Sequence, residues 1–234
     1  MKSFVLLCLL VTLCAAQRIP SSNILNQVVQ AIKTAKSNVQ SIQSDIRRAR
    51  TNFQLNTQNE LANINYQSFK TITDIESTRL KYIQEKSEEA KASGKDADQC
   101  LNNVASNMKS GSQAARSELN RCDSQGKQLL QTQLLKFDAL QADGQKLINE
   151  LDNIALQCYN SNINQMASCM SIKVGLVNRS IRVYQQEASQ LQSNAQSQKS
   201  NIILSTSSCN NQAVNTCRSA STDAIYAAAN CLKS

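Results

Sequence analysis

From Leu25 onward the apolar residues fall at Leu25, Val28, Ile32, Ala35, Val39, Ile42, Ile46, Ala49 and Phe53, in alternating steps of three and four. That stride belongs to a helix with one narrow apolar seam, and such a helix is stable only when other helices cover the seam. Beyond Phe53 the stride changes. Phe53, Ile64 and Ile75 are eleven apart, as are Leu61, Ile72 and Ile83, and as are Phe69 and Leu80. An eleven-residue repeat loosens or reverses a left-handed supercoil. Pro20-Ser21-Ser22-Asn23 reads as the helix start, and Ser93-Gly94 as its end, near Lys91.

A second stripe begins near Asp96. It runs Leu101, Val104, Met108, Ala115, Leu119, Cys122, Leu130, Leu134, Phe137, Leu140, Leu147, Leu151, Ile154 and Cys158. Tyr159-Asn160-Ser161-Asn162 is the next turn. The third stripe takes in Met170, Val174, Val177, Ile181, Tyr184, Ala188, Leu191, Ala195, Gln198, Ile202, Ser205 and Cys209. It continues through Ala213, Cys217, Ala220, Ala224 and Ala227 to Cys231. Gln198 and Ser205 are weak seam residues, so packing there is expected to be poor. Three long helices joined by short turns run up, down and up. The expected fold is all-α: an elongated antiparallel three-helix bundle or coiled coil stapled by disulfides. Helices of 60–70 residues would span about 90–105 Å. A chain bent or folded back at Gly111 or Gly126 is the competing picture, because glycine weakens a helix interior.

Met1-Lys2, an apolar run from Phe4 to Leu13 and the small residues Cys14-Ala15-Ala16 form a secretory signal pattern, with cleavage expected after Ala16. The run is too short for the roughly 20 residues of a membrane span. The organisation expected is therefore a signal peptide at 1–16, a long helix within 17–95 and a disulfide-stapled hairpin within 96–234, the last two packed as one domain. The mature chain is expected to be secreted and extracellular.

Cleavage removes Cys8 and Cys14 and leaves seven cysteines, an odd number in an oxidising compartment. Facing residues of an antiparallel hairpin have a nearly constant sum of residue numbers. Cys158 and Cys169 sum to 327; Cys122 and Cys209, and Cys100 and Cys231, each sum to 331. At 100° per residue, Cys100, Cys122 and Cys158 lie within about 40° of one another and their partners within about 80°. The three nested pairs therefore meet at matching heights, as the short reach of a disulfide requires. Cys217 is left over. Pairing it with Cys122 would miss register by about 12 Å along the axis. It is expected to be a free thiol or a link to a second chain, and a dimer or trimer stays open.

The chain has no histidine, which removes Ser-His and Cys-His catalysis and imidazole metal ligands. There is no CxxC pair, GxGxxG or Walker loop. Glu88, Glu89, Asp96 and Asp98 cluster beside a turn, where carboxylates ordinarily cap or solvate. No catalytic residue, cofactor or metal site is expected, and the protein is not read as an enzyme. Lys and Arg number 25 against 17 Asp and Glu. Loss of Lys2 leaves 24 against 17, an excess spread along the chain. Asp45-Ile46-Arg47-Arg48-Ala49-Arg50 is its densest point, too short for the sustained basic stripe of a nucleic-acid or heparin site. Asn178-Arg179-Ser180 is a candidate glycosylation sequon.

From Cys100 onward the chain resembles the insect TsetseEP-domain family of secreted fly proteins. The resemblance rests on Cys100-x21-Cys122, Cys158-x10-Cys169, Cys209-x7-Cys217 and Cys231, set in helix rich in Ala, Ser, Gln and Asn. It covers roughly residues 97–231; the first helix lies outside it. What it implies is an extracellular insect protein of midgut or other epithelial secretions with immune or digestive-tract associations, and no catalytic residues to carry over. The leading functional expectation is a non-enzymatic helical protein acting by surface interaction, or as a structural or protective component. A carrier of lipid or a small apolar ligand is the alternative. A secreted effector meeting an extracellular protein or an anionic host or microbial surface is the third, helped by the positive charge.

Overall fold

The computed structural model describes residues 21–233, which form three helices: α1 Ser21–Ala92, α2 Asp98–Gln157 and α3 Ile163–Cys231. The expected signal peptide and Pro20 lie outside the described residues. The helix ends follow from local chemistry. Gly94 closes α1 at φ 69°, a left-handed conformation that costs a residue with a Cβ. The Lys95 amide donates to the Ala90 carbonyl at 2.9 Å and the Gly94 amide to that of Lys91 at 3.1 Å, satisfying carbonyls the helix leaves open. At the start of α3, the Asn162 side-chain oxygen accepts from the amides of Asn164 at 3.0 Å and Gln165 at 3.3 Å.

The fold is all-α, with three helices packed together and three disulfides. Cross-helix contacts give the directions. Arg50 meets Asp138 at 2.6 Å and Glu76 pairs with Arg116, so α2 runs against α1. Lys199 meets Glu60 at 2.5 Å and Arg79 meets Ser221 at 3.0 Å, so α3 runs with α1. The described chain divides into two compact units, each built from a stretch of all three helices. Unit 1 holds the residues up to Asp45 with Leu140–Ala188; unit 2 holds Ile46–Ala139 with the residues from Ser189 onward.

In unit 1 the seam is aliphatic apart from the buried Tyr184. Val28, Ala35 and Val39 of α1, Leu147, Leu151 and Ile154 of α2, and Met170, Val174 and Ile181 of α3 are buried. Gln43 is buried among them and donates to the Gln141 carbonyl at 3.1 Å. The hairpin tip is closed by Cys158–Cys169, Cα–Cα 5.6 Å.

In unit 2 the seam mixes large and small residues. Phe53 and Phe137 pack with ring centroids 5.8 Å apart, and Leu61, Ile72 and Ile83 form the fully buried row of α1. Opposite lie Met108, Ala115, Ala213, Ala224 and Ala228. The disulfides Cys100–Cys231 and Cys122–Cys209 tie α2 to α3 at Cα–Cα 5.8 and 5.7 Å. The three pairs are those the residue-number sums select.

The structure corrects several positions. Phe69, expected within the eleven-residue repeat, is 49% exposed. After Ile202 the α3 seam departs from the expected stripe at some positions, while Ala213, Cys217, Ala224 and Cys231 are buried as expected. Ser205 and Ala227 face solvent, while Thr206, Asn210, Ser221 and Ala228 are buried. Thr206 tolerates burial because its hydroxyl donates to the Ile202 carbonyl at 2.9 Å. Just before this stretch, no residue between Ala188 and Ile202 is buried, in keeping with the thin packing expected around Gln198. Gly111 and Gly126 do not fold the chain back, since α2 is unbroken through both. They are points of close approach: a Cβ on Gly111 would come within 2.4 Å of the Ala220 Cβ.

Candidate functional site

The residues that carry reactive chemistry are spent on structure. Six cysteines are cystines, and Cys217 is a free thiol with no solvent exposure. Its sulfur lies 3.6 Å from the Ser112 hydroxyl and 3.9 Å from the Ile72 carbonyl. A thiol so placed offers no sulfur to a second chain while the helices stay packed. Glu118 lies near Cys122 and Cys209, with ligand atoms within 4.8 Å, but those sulfurs are bonded to each other and cannot hold a metal. Arg121 is the principal cause that keeps the Glu118 carboxyl below its ordinary range.

The carboxylates beside the first turn cap and solvate. Asp98 accepts from the Ser87 hydroxyl at 2.9 Å and pairs with Lys91 at 3.2 Å. These bonds, Ser87 first, hold its pKa below the usual carboxylate value. Glu89 pairs with Lys86 at 2.5 Å, and Glu88 and Asp96 are exposed. At the densest basic point Ile46 is buried, and Arg50 forks onto both Asp138 oxygens at 2.6 and 3.2 Å. Asn178 is half-buried on α3 beside buried Val177.

A groove of about 670 Å³ lies between α1 and α2, wholly within unit 2. Its origin is the change of stride in α1. Between Leu61 and Ile72 no α1 residue is fully buried. The half-buried positions there include Asn65 and Ser68, too short and polar to fill the interface as leucines would. Ser68 turns its hydroxyl back to the Ile64 carbonyl at 2.9 Å. Opposite, Gly126 lets α1 and α3 draw close: a Cβ there would come 2.6 Å from the Thr206 hydroxyl and 3.0 Å from Leu61.

The groove floor is apolar: Leu61, Leu119, Leu130 and Leu134, each 2–3% exposed. Tyr66 and Phe69 stand exposed at its edge. Phe69 is held from outside, with the Arg116 guanidinium 5.5 Å from its ring centroid and Arg116 itself paired to Glu76. Among the lining residues only Asp123 and Lys127 are charged, and Lys127 donates to Asp123 at 2.6 Å. Asn65 lines the same groove, but its side-chain oxygen is buried out of reach of water and has no hydrogen-bond partner. Sequence reasoning named Leu119, Leu130 and Leu134 as core but missed the groove. Its one signal was the switch to eleven-residue spacing with a polar residue at 65.

Comparison with known proteins finds no matching family model, no matching curated protein and no matching solved structure.

Proposed function

We propose that this is a secreted, non-enzymatic helical protein that acts by binding through its surface, as a protective or immune-associated component of an insect epithelial secretion such as that of the midgut. The observation that carries the reading is the stapled bundle. Three cystines belong to an oxidising compartment. Among the described residues no helix is long and apolar enough to cross a membrane. The remaining thiol is buried, and the carboxylates beside the turn cap a helix, pair with a lysine or face solvent. The TsetseEP-like cysteine spacing supports the tissue. The sequon at Asn178 makes that residue a candidate for glycosylation.

The test uses the native, purified protein. No turnover should follow it through purification. Its excess of basic residues should give binding to anionic polysaccharide or bacterial surfaces that weakens as salt rises. Turnover that tracks the pure protein would overturn the non-enzymatic reading. Absent or salt-independent binding would remove the anionic surface as a partner.

A second reading, a carrier of a lipid or small apolar ligand, is favoured by the groove between α1 and α2. Its volume falls in the range of small-molecule sites. Carriers of the exchangeable kind open their helices to spread broad apolar faces on lipid. Here α2 and α3 are tied at three levels, so a ligand would enter the groove of a closed bundle.

A further inference from the structure

We infer that the end of unit 1 closed by Cys158–Cys169 is a docking surface for an anionic phospholipid membrane, which it meets tip-first without spanning it. The inference rests on the surface-binding reading above and names the surface and its partner. Two features of this end select that chemistry. The first is apolar. Tyr159 in the turn is 82% exposed and Leu156 just before it 77%, and Ile163 and Ile172 on α3 are exposed as well. The disulfide sets α2 and α3 level here, so Leu156 and Ile172 stand within about a turn of the tip on the two helices. The bundle uses none of the four, since its seam at this end is Ile154, Met170 and Val174. The second feature is charge. Residues 21–44 and 153–186 contain no Asp or Glu but five Lys and Arg. Within unit 1, Lys36 meets Asp152 and Gln43 meets Gln141, which brings the start of α1 to this same end. Lys33 and Lys173 therefore stand close to the level of Ile172, and Arg179 and Arg182 are exposed farther back. The bordering carboxylates are Asp152, which Lys36 neutralises, and Glu150.

A soluble polyanion would meet the charge but leave the four apolar side chains in water. A membrane surface offers anionic headgroups over an apolar layer, and binding there grows with both buried apolar area and basic charge. Tyrosine, apolar in its ring and polar at its tip, suits that boundary. The turn is also prepared for contact. The Asn160 side-chain oxygen accepts from the Asn162 amide at 2.8 Å, and that of Asn162 from the amides of Asn164 and Gln165, so these amides lose little when water leaves.

The experiment mixes the full, disulfide-intact protein with vesicles of phosphatidylcholine alone, with vesicles of equal phosphatidylcholine and phosphatidylglycerol, and with dextran sulfate. The chain has no tryptophan, so Tyr159→Trp places a single reporter in the turn and Leu135→Trp places one on unit 2. The protein should float with the anionic vesicles and not the neutral ones, less so as salt rises. Emission at position 159 should shift to the blue on those vesicles, and at position 135 should not. Leu156→Ser with Ile172→Ser should weaken binding about tenfold or more. Each basic residue near such a surface is worth about fivefold, so Lys33→Gln with Lys173→Gln should weaken it about twentyfold or more. Lys109→Gln with Lys136→Gln, exposed in unit 2, remove the same charge and should change little. Circular dichroism on each variant separates loss of binding from loss of fold. A shift at position 135 as large as at 159, or equal weakening by the two lysine pairs, overturns the tip as the docking surface and leaves the surface-binding reading standing. Equal floating with neutral vesicles, or binding to dextran sulfate alone, overturns the anionic membrane as partner and leaves that reading standing. Binding to none of the three overturns both.

Discussion

The two units solve the same packing problem with different materials. Unit 1 closes mainly on Val, Leu, Ile and Met with one buried tyrosine, Tyr184, its buried Gln43 donates to a backbone carbonyl, and its one cystine spans only 11 residues. Unit 2 buries Thr57, Ser112, Thr206, Asn210 and Ser221 among alanines, and its two cystines close separations of 131 and 87 residues. Apolar area is the main source of stability in a bundle. A seam of Ala, Ser and Asn supplies less of it per residue, and long-range crosslinks make up part of the difference by restricting the unfolded chain. The same economy of side-chain volume leaves room for the groove.

The largest expected effect removes that crosslinking. Replacing Cys122 and Cys209 by serine should cost about 4 kcal/mol, while replacing Cys158 and Cys169 should cost about 3, because the shorter loop restricts the unfolded chain less. Urea titrations of the two double variants read the difference. Equal losses would mean that unit 2 does not lean on its staples.

Glycine substitutions sharpen the comparison. Gly111→Ala puts a methyl against the Ala220 Cβ, which sits one bond from the backbone and cannot swing aside. It should destabilise by about 1–3 kcal/mol, as overpacking does. In unit 1 nothing lies within 4 Å of a Cβ at Gly175, so Gly175→Ala should stabilise by about 1 kcal/mol through helix propensity alone. Opposite shifts in melting temperature are the expected outcome.

Asn210 is 1% exposed, and neither its side-chain oxygen nor its nitrogen has a partner. Asn210→Leu should stabilise unit 2 by about 1–2 kcal/mol, since it removes two unpaired polar atoms at similar volume. A polar seam residue also fixes register. Slower or mixed disulfide formation in the same variant would show that role.

Acid should have the smallest effect. Asp98 and Glu118 both titrate below their ordinary values, through Ser87 and Lys91 in one case and Arg121 in the other. A carboxyl whose folded pKa is depressed contributes stability above its unfolded pKa, and that contribution is lost as pH falls through the folded value. Both groups are only half-buried and remain in reach of solvent, so the loss below about pH 4 should be slight. Asp98→Asn and Glu118→Gln should flatten it.

Much of this was legible in the sequence because periodicity and cysteine spacing report the same geometry. Every residue of the α2 stripe is buried, and the α1 stripe from Leu25 to Phe53 is buried or half-buried throughout. The α3 departures were not legible. Thr206, Asn210 and Ser221 look like surface residues, and Ala occupies both buried and exposed faces, so neither marks a seam. The groove was hidden for a related reason. A gap is made by what a short polar residue such as Asn65 fails to fill, and a pattern of apolar residues records only what is present. The stripe put Cys217 on the α3 seam, where it is buried, but its role stayed open because an unpaired cysteine fits a buried core as well as a link to a second chain.

The most direct test is a peptide map of the native secreted protein, alkylated before and after denaturation and digested without reduction. The expected result is Cys100–Cys231, Cys122–Cys209 and Cys158–Cys169, with Cys217 labelled only after denaturation. Any other pairing, or Cys217 bonded to a second chain, would contradict the single stapled register on which the bundle and its groove depend.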